Sequence, residues 1–330
     1  MPQNGMTVSV VIPVFNAAPT LEHCLGALQT QTRTPNEIIV VDDGSTDETI
    51  HVAEHCGARV IRQQQQGPAS ARNRGAQSAR GEILLFTDAD CEPSPEWIER
   101  MSTPFADPRI VATKGTYRTR QHQLIARLVQ LEYEFRYERM ARFSQIDFVD
   151  SHAAGYRRTV LLQSGGFDTA FPTSTSAEDI DLSFRLARQG YRMIFVPQAW
   201  VWHQHPVALD KHLLRKAKYG WWRALLYLRY PDKIRGDTHT APVLKTQFAL
   251  LALLVVSLLG ALVWQPMLAG IAMLALLVLL LTTLPFVGWA WSRDVAVALA
   301  WIPITLLRVV VQGAGLALGL IYYGLLNRRQ

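Results

Sequence analysis

A chain of 330 residues with 33 Lys and Arg against 27 Asp and Glu, and a hydrophobic share of 49%, can bury one sizeable α/β core and still carry an appendage. Its three cysteines, Cys24, Cys56 and Cys91, form no CxxC pair, which excludes a disulfide framework and a thiolate metal site. The net charge of +6 does not imply nucleic acid as a partner, because Lys and Arg crowd between Lys211 and Lys245, directly before an apolar region, where anionic lipid headgroups would be met.

Met1 to Met6 are polar and lack the basic flank and apolar run of a secretory leader, so a cytosolic first domain is expected. Residues 7–14 are a β-branched run that ends at a turn, and residues 19–31 place Leu21, Cys24, Leu25 and Leu28 on one helical face. The alternation repeats, with strands expected at 37–41, 59–62 and 82–87 and helices at 46–55, 70–78 and 95–105. Such a pattern predicts a doubly wound, mainly parallel sheet. In these sheets ligands bind beyond the carboxyl ends of the strands, and there lie Asp42-Asp43-Gly44-Ser45 and Asp88-Ala89-Asp90. Two carboxylates two residues apart at a strand end suit a hard divalent cation bridging to a diphosphate, although Asp-x-Asp alone is common in solvated loops. Further on, polar residues 173–176 precede Glu178-Asp179 and a helix expected at 181–189.

Residues 209–230 mix Leu213, Trp221, Trp222 and Leu225 with Lys211, Arg215, Lys218 and Arg223, the pattern of an interfacial helix with aromatic anchors. No charge occurs between positions 246 and 292, about 70 Å of helix against a hydrocarbon core of about 30 Å. Two crossings fit, with Trp264-Gln265-Pro266 as the turn. A third apolar stretch, 295–323, carries Arg308 inside it and Pro303 before it, and a charge centred in a span costs roughly 2.5–3.5 kcal/mol. It is expected either to span from Val309 onward or to lie in the interface up to Leu307, with Arg328 and Arg329 on the cytosolic side. Two and three crossings both stay open. The expected organisation is a catalytic domain at 1–206, an interfacial helix and basic linker at 207–245, and a transmembrane region at 246–330.

The ordered runs Val10 to Asn16, Val40 to Asp47, Ala71-Arg72-Asn73-Arg74-Gly75, Thr87 to Asp90, Gly165-Gly166-Phe167-Asp168, Glu178 to Leu182 and Val201-Trp202-His203 resemble the family-2 glycosyltransferases over about residues 6–206. The resemblance implies a Rossmann-like GT-A fold and an inverting transfer from a nucleotide sugar, UDP-linked by preference, aided by Mg²⁺ or Mn²⁺. It makes Pro13, Val14, Phe15 and Asp43 walls of the nucleotide-base pocket, although Asp42 and Asp43 could equally cap the following helix. Arg72 is expected to reach the nucleotide or its phosphates, Arg74 to be a surface charge, Asp90 to bind the metal directly, and Asp88 to lie nearer the donor ribose or sugar.

Asp179, beside Glu178, matches the family's general base, with capping of a helix amino terminus as the competing reading. His203 matches a histidine that completes the metal site in some relatives. His205 is close enough in sequence to compete with it, and His152 is expected to be structural or to face the acceptor.

Processive membrane relatives carry Gln-x-x-Arg-Trp near the bilayer, and here only Arg215 to Tyr219 stands in its place, so a single sugar addition is expected. Because a lipid phosphate needs no base and a hydroxyl does, a hydroxyl-bearing lipid or glycolipid at the cytosolic face of the plasma membrane is the expected acceptor. Polyprenyl phosphate is the alternative. A nucleotidyltransferase would place a Gly-rich, basic phosphate loop after the first strand, where Phe15-Asn16-Ala17-Ala18 stands instead.

Overall fold

The computed structural model describes residues 5–171 and 177–326. Residues 173–176, Arg328 and Arg329, on which the sequence carries expectations, lie outside the described residues. The chain divides into two compact units, one of residues 1–120 and 137–204, the other of 121–136 and 205–330. A single cut at 206 therefore does not follow the packing, since residues 121–136 group with the carboxyl-terminal part.

The first unit runs β1 (Val8–Val14), α1 (Ala18–Gln29), β2 (Glu37–Asp42), α2 (Thr49–His55), β3 (Arg59–Arg62), α3 (Pro68–Ser78), β4 (Ile83–Phe86), β5 (Glu92–Pro93), α4 (Trp97–Ser102) and β6 (Ile110–Arg118). After α5 (Leu124–Met140), which starts in the second unit, come β7 (Ala154–Arg157), α6 (Arg158–Gln163), α7 (Ala177–Arg188) and β8 (Arg192–Trp202). The sheet order is β3-β2-β1-β4-β7-β6-β8-β5. β1 pairs in parallel with β2 and β4, β2 with β3, and β6 with β8, whereas β7 runs antiparallel to β4 and β6 and β5 to β8. The sheet is mixed with parallel pairs dominant, as the βα alternation predicts for its first half. Strands covered by helices on both faces are apolar throughout, and β4 is buried along its whole length. α3 approaches β1 so closely that a Cβ on Gly75 would lie 2.3 Å from Val11 Cγ1.

Three boundaries move for local reasons. α2 begins at Thr49, not 46, because Asp47 Oδ1 accepts from both Thr49 N (3.1 Å) and Thr49 Oγ1 (2.5 Å) and holds the preceding residues in a turn. The helix expected over 95–105 shortens to α4 and a 3-10 turn, Thr103–Ala106; Pro104 has no N–H to continue an α ladder. Glu178 and Asp179 are themselves helical residues of α7 rather than lying ahead of it.

The second unit contains the first part of α5, then α8 (Leu209–Arg229), α9 (Pro242–Val263), α10 (Leu268–Leu281), α11 (Leu284–Trp291) and α12 (Val295–Ile321). Ile125, Leu128 and Val129 of α5 pack with Phe286, Ala290, Val297, Ala298 and Trp301. Three stretches are long and apolar enough to cross a membrane: Pro242–Val263, Leu268–Trp291 and Val295–Leu325. The turn between the first two falls at Trp264 to Met267. The third is one helix through Pro303 and Arg308, with no break at Val309. Its arginine is paired, Nη1 lying 3.2 Å from Glu132 Oε1 and Nη2 3.1 Å from Gln247 Oε1.

Candidate active site

The carboxyl ends of β1, β2 and β4 form one edge of the sheet. Phe15, the residue after β1, is 46% exposed there, and Asn16 follows in the left-handed region at φ 48°, which asparagine tolerates better than most residues. Asn16 donates its N–H to Ser45 Oγ (2.9 Å) and accepts at Oδ1 from Thr46 N (2.8 Å), tying the two strand ends together. Pro13 is half-buried and Val14 buried.

Asp43 does not cap α2. Its buried carboxylate accepts from Gln63 Nε2 (2.7 Å) and Gln66 N (2.8 Å) at Oδ1 and from Gly67 N (2.7 Å) at Oδ2. Asp43 thus shapes the loop that leads into α3 and leaves limited acceptor capacity for a base. Asp42 closes the local turn by accepting from Ser45 N at 3.2 Å.

Arg72 projects from α3, and Arg74 two residues on is exposed. Arg72 Nη2 lies 3.2 Å from Asp88 Oδ1 and Nη1 3.2 Å from Glu178 Oε1. Burial works against the guanidinium charge, but Asp88, Asp179 and Glu178 outweigh it and hold its pKa above the ordinary value. The neighbouring Asn73 pins the Gly165-Gly166-Phe167-Asp168 run: its Oδ1 accepts from Phe167 N and its Nδ2 donates to Phe167 O, both at 2.8 Å. Gly166, at φ 69°, is packed so tightly that an added Cβ would lie 2.4 Å from Asn73 Oδ1.

Asp179 and Glu178 are both buried. Ser151 donates its N–H and its hydroxyl to Asp179 Oδ2, each at 3.1 Å. Asp179 Oδ1 and Glu178 Oε2 are buried with no hydrogen-bond partner among the described residues. Burial first, and then the Glu178 charge, push the Asp179 carboxyl well above the usual range, and burial raises Glu178 as well. An orphaned, high-pKa carboxylate oxygen is what a general base requires.

His152 belongs to this cluster. Its Nε2 lies 3.4 Å from Asp88 Oδ2, and its ring stands edge-on to His203 with centroids 4.9 Å apart. Burial holds its pKa below the ordinary histidine value, favouring the neutral ring. On the adjoining residue, Asp150 Oδ1 meets the fully buried Lys114 Nζ at 2.5 Å. Sequence reasoning did not single out Ser151, Asp150 or Lys114, and it quoted Asn73 in a motif without a role. A lysine inside the apolar run of β6 was the available signal, since a buried lysine is nearly always paired.

Asp90, Cys91 and His203 bring ligand atoms within 4.8 Å of one another. Asp90 Oδ2 lies 3.7 Å from His203 Nδ1. Burial opposes ionisation of Asp90, yet the His203 hydrogen bond and charge bring its pKa down to about 2. A carboxylate oxygen and an imidazole nitrogen form a donor pair that fits Mn²⁺ or Mg²⁺. The Cys91 sulfur is a soft donor and matches these hard ions poorly. His205 is not in this group. It bonds Gln130 Oε1 through Nε2 at 2.9 Å and stacks on Tyr133, within the second unit.

Residues 9–165 match the family described as glycosyl transferase family 2. The pre-mycofactocin glycosyltransferase of Mycobacterium tuberculosis is 33% identical over 261 residues, 76% of this chain and 53% of that protein. The validoxylamine A glucosyltransferase of Streptomyces hygroscopicus is 30% identical over 234 residues, 58% of this chain and 50% of its own. The chain spans about half the length of these curated relatives. Among solved structures, a mannosyltransferase from Pyrobaculum calidifontis in complex with GDP-mannose and Mn²⁺ aligns with 100% of this chain and 89% of its own, at 21% identity and TM-score 0.58. GalNAc-T7 with UDP, GalNAc and Mn²⁺ aligns with 70% of this chain and 52% of its own, at 17% identity and TM-score 0.51. With its ordered motifs gathered on one sheet edge, the chain carries a glycosyl transferase family 2 domain over residues 9–165, on a GT-A-type sheet.

Proposed function

We propose that the protein transfers a sugar from a nucleoside-diphosphate donor, UDP-linked by preference, to a hydroxyl of a membrane lipid or glycolipid, with inversion at the anomeric carbon. The observation that carries the reading is Asp179 Oδ1, a buried carboxylate oxygen without a partner, in a cluster that also gathers Arg72, Asp88 and Glu178. The bound ligands named for the two solved neighbours, a nucleotide with Mn²⁺ in each, support a nucleotide donor and a divalent ion. Asp90 and His203 would hold Mg²⁺ or Mn²⁺, which when bound supplies positive charge to the departing diphosphate.

The residues divide the work. Phe15 offers an exposed ring to the base, and Asp43 keeps the 63–67 loop in shape beside it. Arg72 keeps a buried positive charge next to Asp88 for the diphosphate side of the donor. The acceptor hydroxyl gives its proton to Asp179 Oδ1 while its oxygen bonds to the anomeric carbon. The bond from that carbon to the donor phosphate oxygen breaks, and its electron pair leaves on the nucleoside diphosphate. Attack opposite the leaving group inverts the centre. An acceptor phosphate would arrive ionised and leave Asp179 nothing to do, which favours a hydroxyl.

The second unit supports membrane attachment, with the catalytic unit on the cytosolic side. α9 and the α10–α11 pair supply two crossings. α12 reads as an interfacial helix rather than a third one. A Cβ on Gly315 would lie 2.2 Å from Ala217 O, and one on Gly319 2.6 Å from Trp221 O, so α12 runs along the amphipathic α8. It meets α9 near that helix's start, through Gln247, Phe248 and Leu251.

The test is transfer in lipid nanodiscs, using UDP- and GDP-sugars with Mn²⁺ or Mg²⁺ and a membrane lipid extract, with anomeric configuration read by NMR. A sugar-modified lipid of inverted configuration is expected. Retained configuration would sink the single displacement, and absence of any transfer or donor hydrolysis across the panel would sink the enzyme reading.

A further inference from the structure

The second unit holds a buried ionic cluster that none of this chemistry uses. Glu132 on α5 accepts from Lys216 Nζ of α8 through both carboxylate oxygens, each at 2.9 Å, from Arg308 Nη1 of α12 at 3.2 Å, and from Arg136 Nη2 at 3.1 Å. Among the described residues Lys216 and Arg308 meet no second carboxylate, so one negative charge answers both. The imbalance shows in Lys216: burial, only partly offset by Glu132 and reinforced by Arg308, brings its pKa down to about 8.

Two nitrogens in the same place, Arg308 Nε and His212 Nε2, are buried without a hydrogen-bond partner among the described residues. Their residues are 7% and 2% exposed. A surplus cation and the unbonded Arg308 Nε–H in a dry site call for an anion, and a guanidinium edge matches phosphate geometry.

Arg308 lies on the apolar stretch Val295–Leu325, and its partner Gln247 sits near the start of the apolar helix Pro242–Val263, the level at which lipid headgroups would lie. We infer that the cluster of Glu132, His212, Lys216 and Arg308 binds the phosphate of an anionic membrane lipid. The inference rests on the reading of this unit as membrane-attached and not on the assignment of Asp179 or Asp90.

The experiment is thermal unfolding of the full chain in dodecyl maltoside, titrated with phosphatidic acid, phosphatidylcholine or inorganic phosphate. A ligand that binds only the native state raises the midpoint. Phosphatidic acid should do so saturably, and the other two should not. Arg308→Gln and Lys216→Met should each weaken the phosphatidic acid effect at least tenfold while the shift caused by UDP with Mn²⁺ stays unchanged. Should those variants fail to fold, Glu132→Gln decides, because removing the carboxylate enlarges the surplus and should bind phosphatidic acid at least as tightly as the parent. An equal shift with phosphatidylcholine or with inorganic phosphate would overturn the inference, as would unchanged affinity in Arg308→Gln or weaker affinity in Glu132→Gln. A missing shift with UDP and Mn²⁺ in the parent protein would count against the proposed transfer alone.

Discussion

Ser151 holds Asp179 by one oxygen: the serine N–H and hydroxyl both donate to Oδ2 at 3.1 Å, and Oδ1 is left without a partner. Hydrogen bonds to a carboxylate favour its ionised form. Ser151→Ala removes the hydroxyl bond, so the Asp179 pKa should rise further. The acidic limb of kcat against pH should then move to higher pH, with kcat at neutral pH falling about tenfold. A lowered rate with an unmoved limb would make Ser151 a packing residue only.

Asp179→Asn should abolish transfer to a hydroxyl acceptor by about 10²- to 10⁴-fold while nucleotide and metal affinity persist. Full activity in the reconstituted variant would remove Asp179 from the mechanism. The same variant carries a stability signature. The folded pKa values of Asp179 and Glu178 are raised above the unfolded ones, so their contribution is fully present below the ordinary carboxyl pKa and is lost as pH rises through the raised values. The parent melting temperature should therefore fall more between pH 5 and pH 8 than that of Asp179→Asn, as differential scanning fluorimetry would record.

Asp90→Ala and His203→Ala should each weaken Mn²⁺-dependent UDP binding at least tenfold by calorimetry. His205→Ala should leave it unchanged, because His205 spends its ring nitrogen on Gln130. Equal losses in all three would dissolve the assignment of the site to Asp90 and His203.

Gly75→Ala should destabilise the first unit by about 1–3 kcal/mol through overpacking, since its Cβ would meet Val11 Cγ1 at 2.3 Å and Val41 Cγ2 at 3.1 Å. Unfolding in guanidinium chloride would show the lowered midpoint. An unchanged midpoint would mean that α3 can lift from β1 freely.

The βα alternation was legible in the first hundred residues because each strand there is a short apolar run and each helix repeats at 3.6 residues. Beyond residue 110 the logic weakens. β7 is four residues, Ala154–Arg157, paired with β4 and β6 by contacts distant in sequence, and nothing local announces an antiparallel insertion. The acids of the site were legible through the ordered motifs, but the partner of Asp179 was not: Ser151 opens a single 3-10 turn, Ser151–Ala153, whose place beside Asp179 only tertiary packing defines. The partner of Arg308 was hidden for the same reason, since Glu132, which meets its charge, lies 176 positions earlier in the chain.

Residues 121–136 leave the ribosome long before Phe286 and Trp301, the aromatic side chains that cover Ile125, Leu128 and Val129. Until the last helix is made, that short segment is an unsatisfied apolar surface threaded through the middle of the sheet unit's own chain. Cutting the protein after residue 206 to obtain a water-soluble enzyme would make this transient exposure permanent, so such a fragment is expected to aggregate or to need detergent even though every hydrophobic span has been removed.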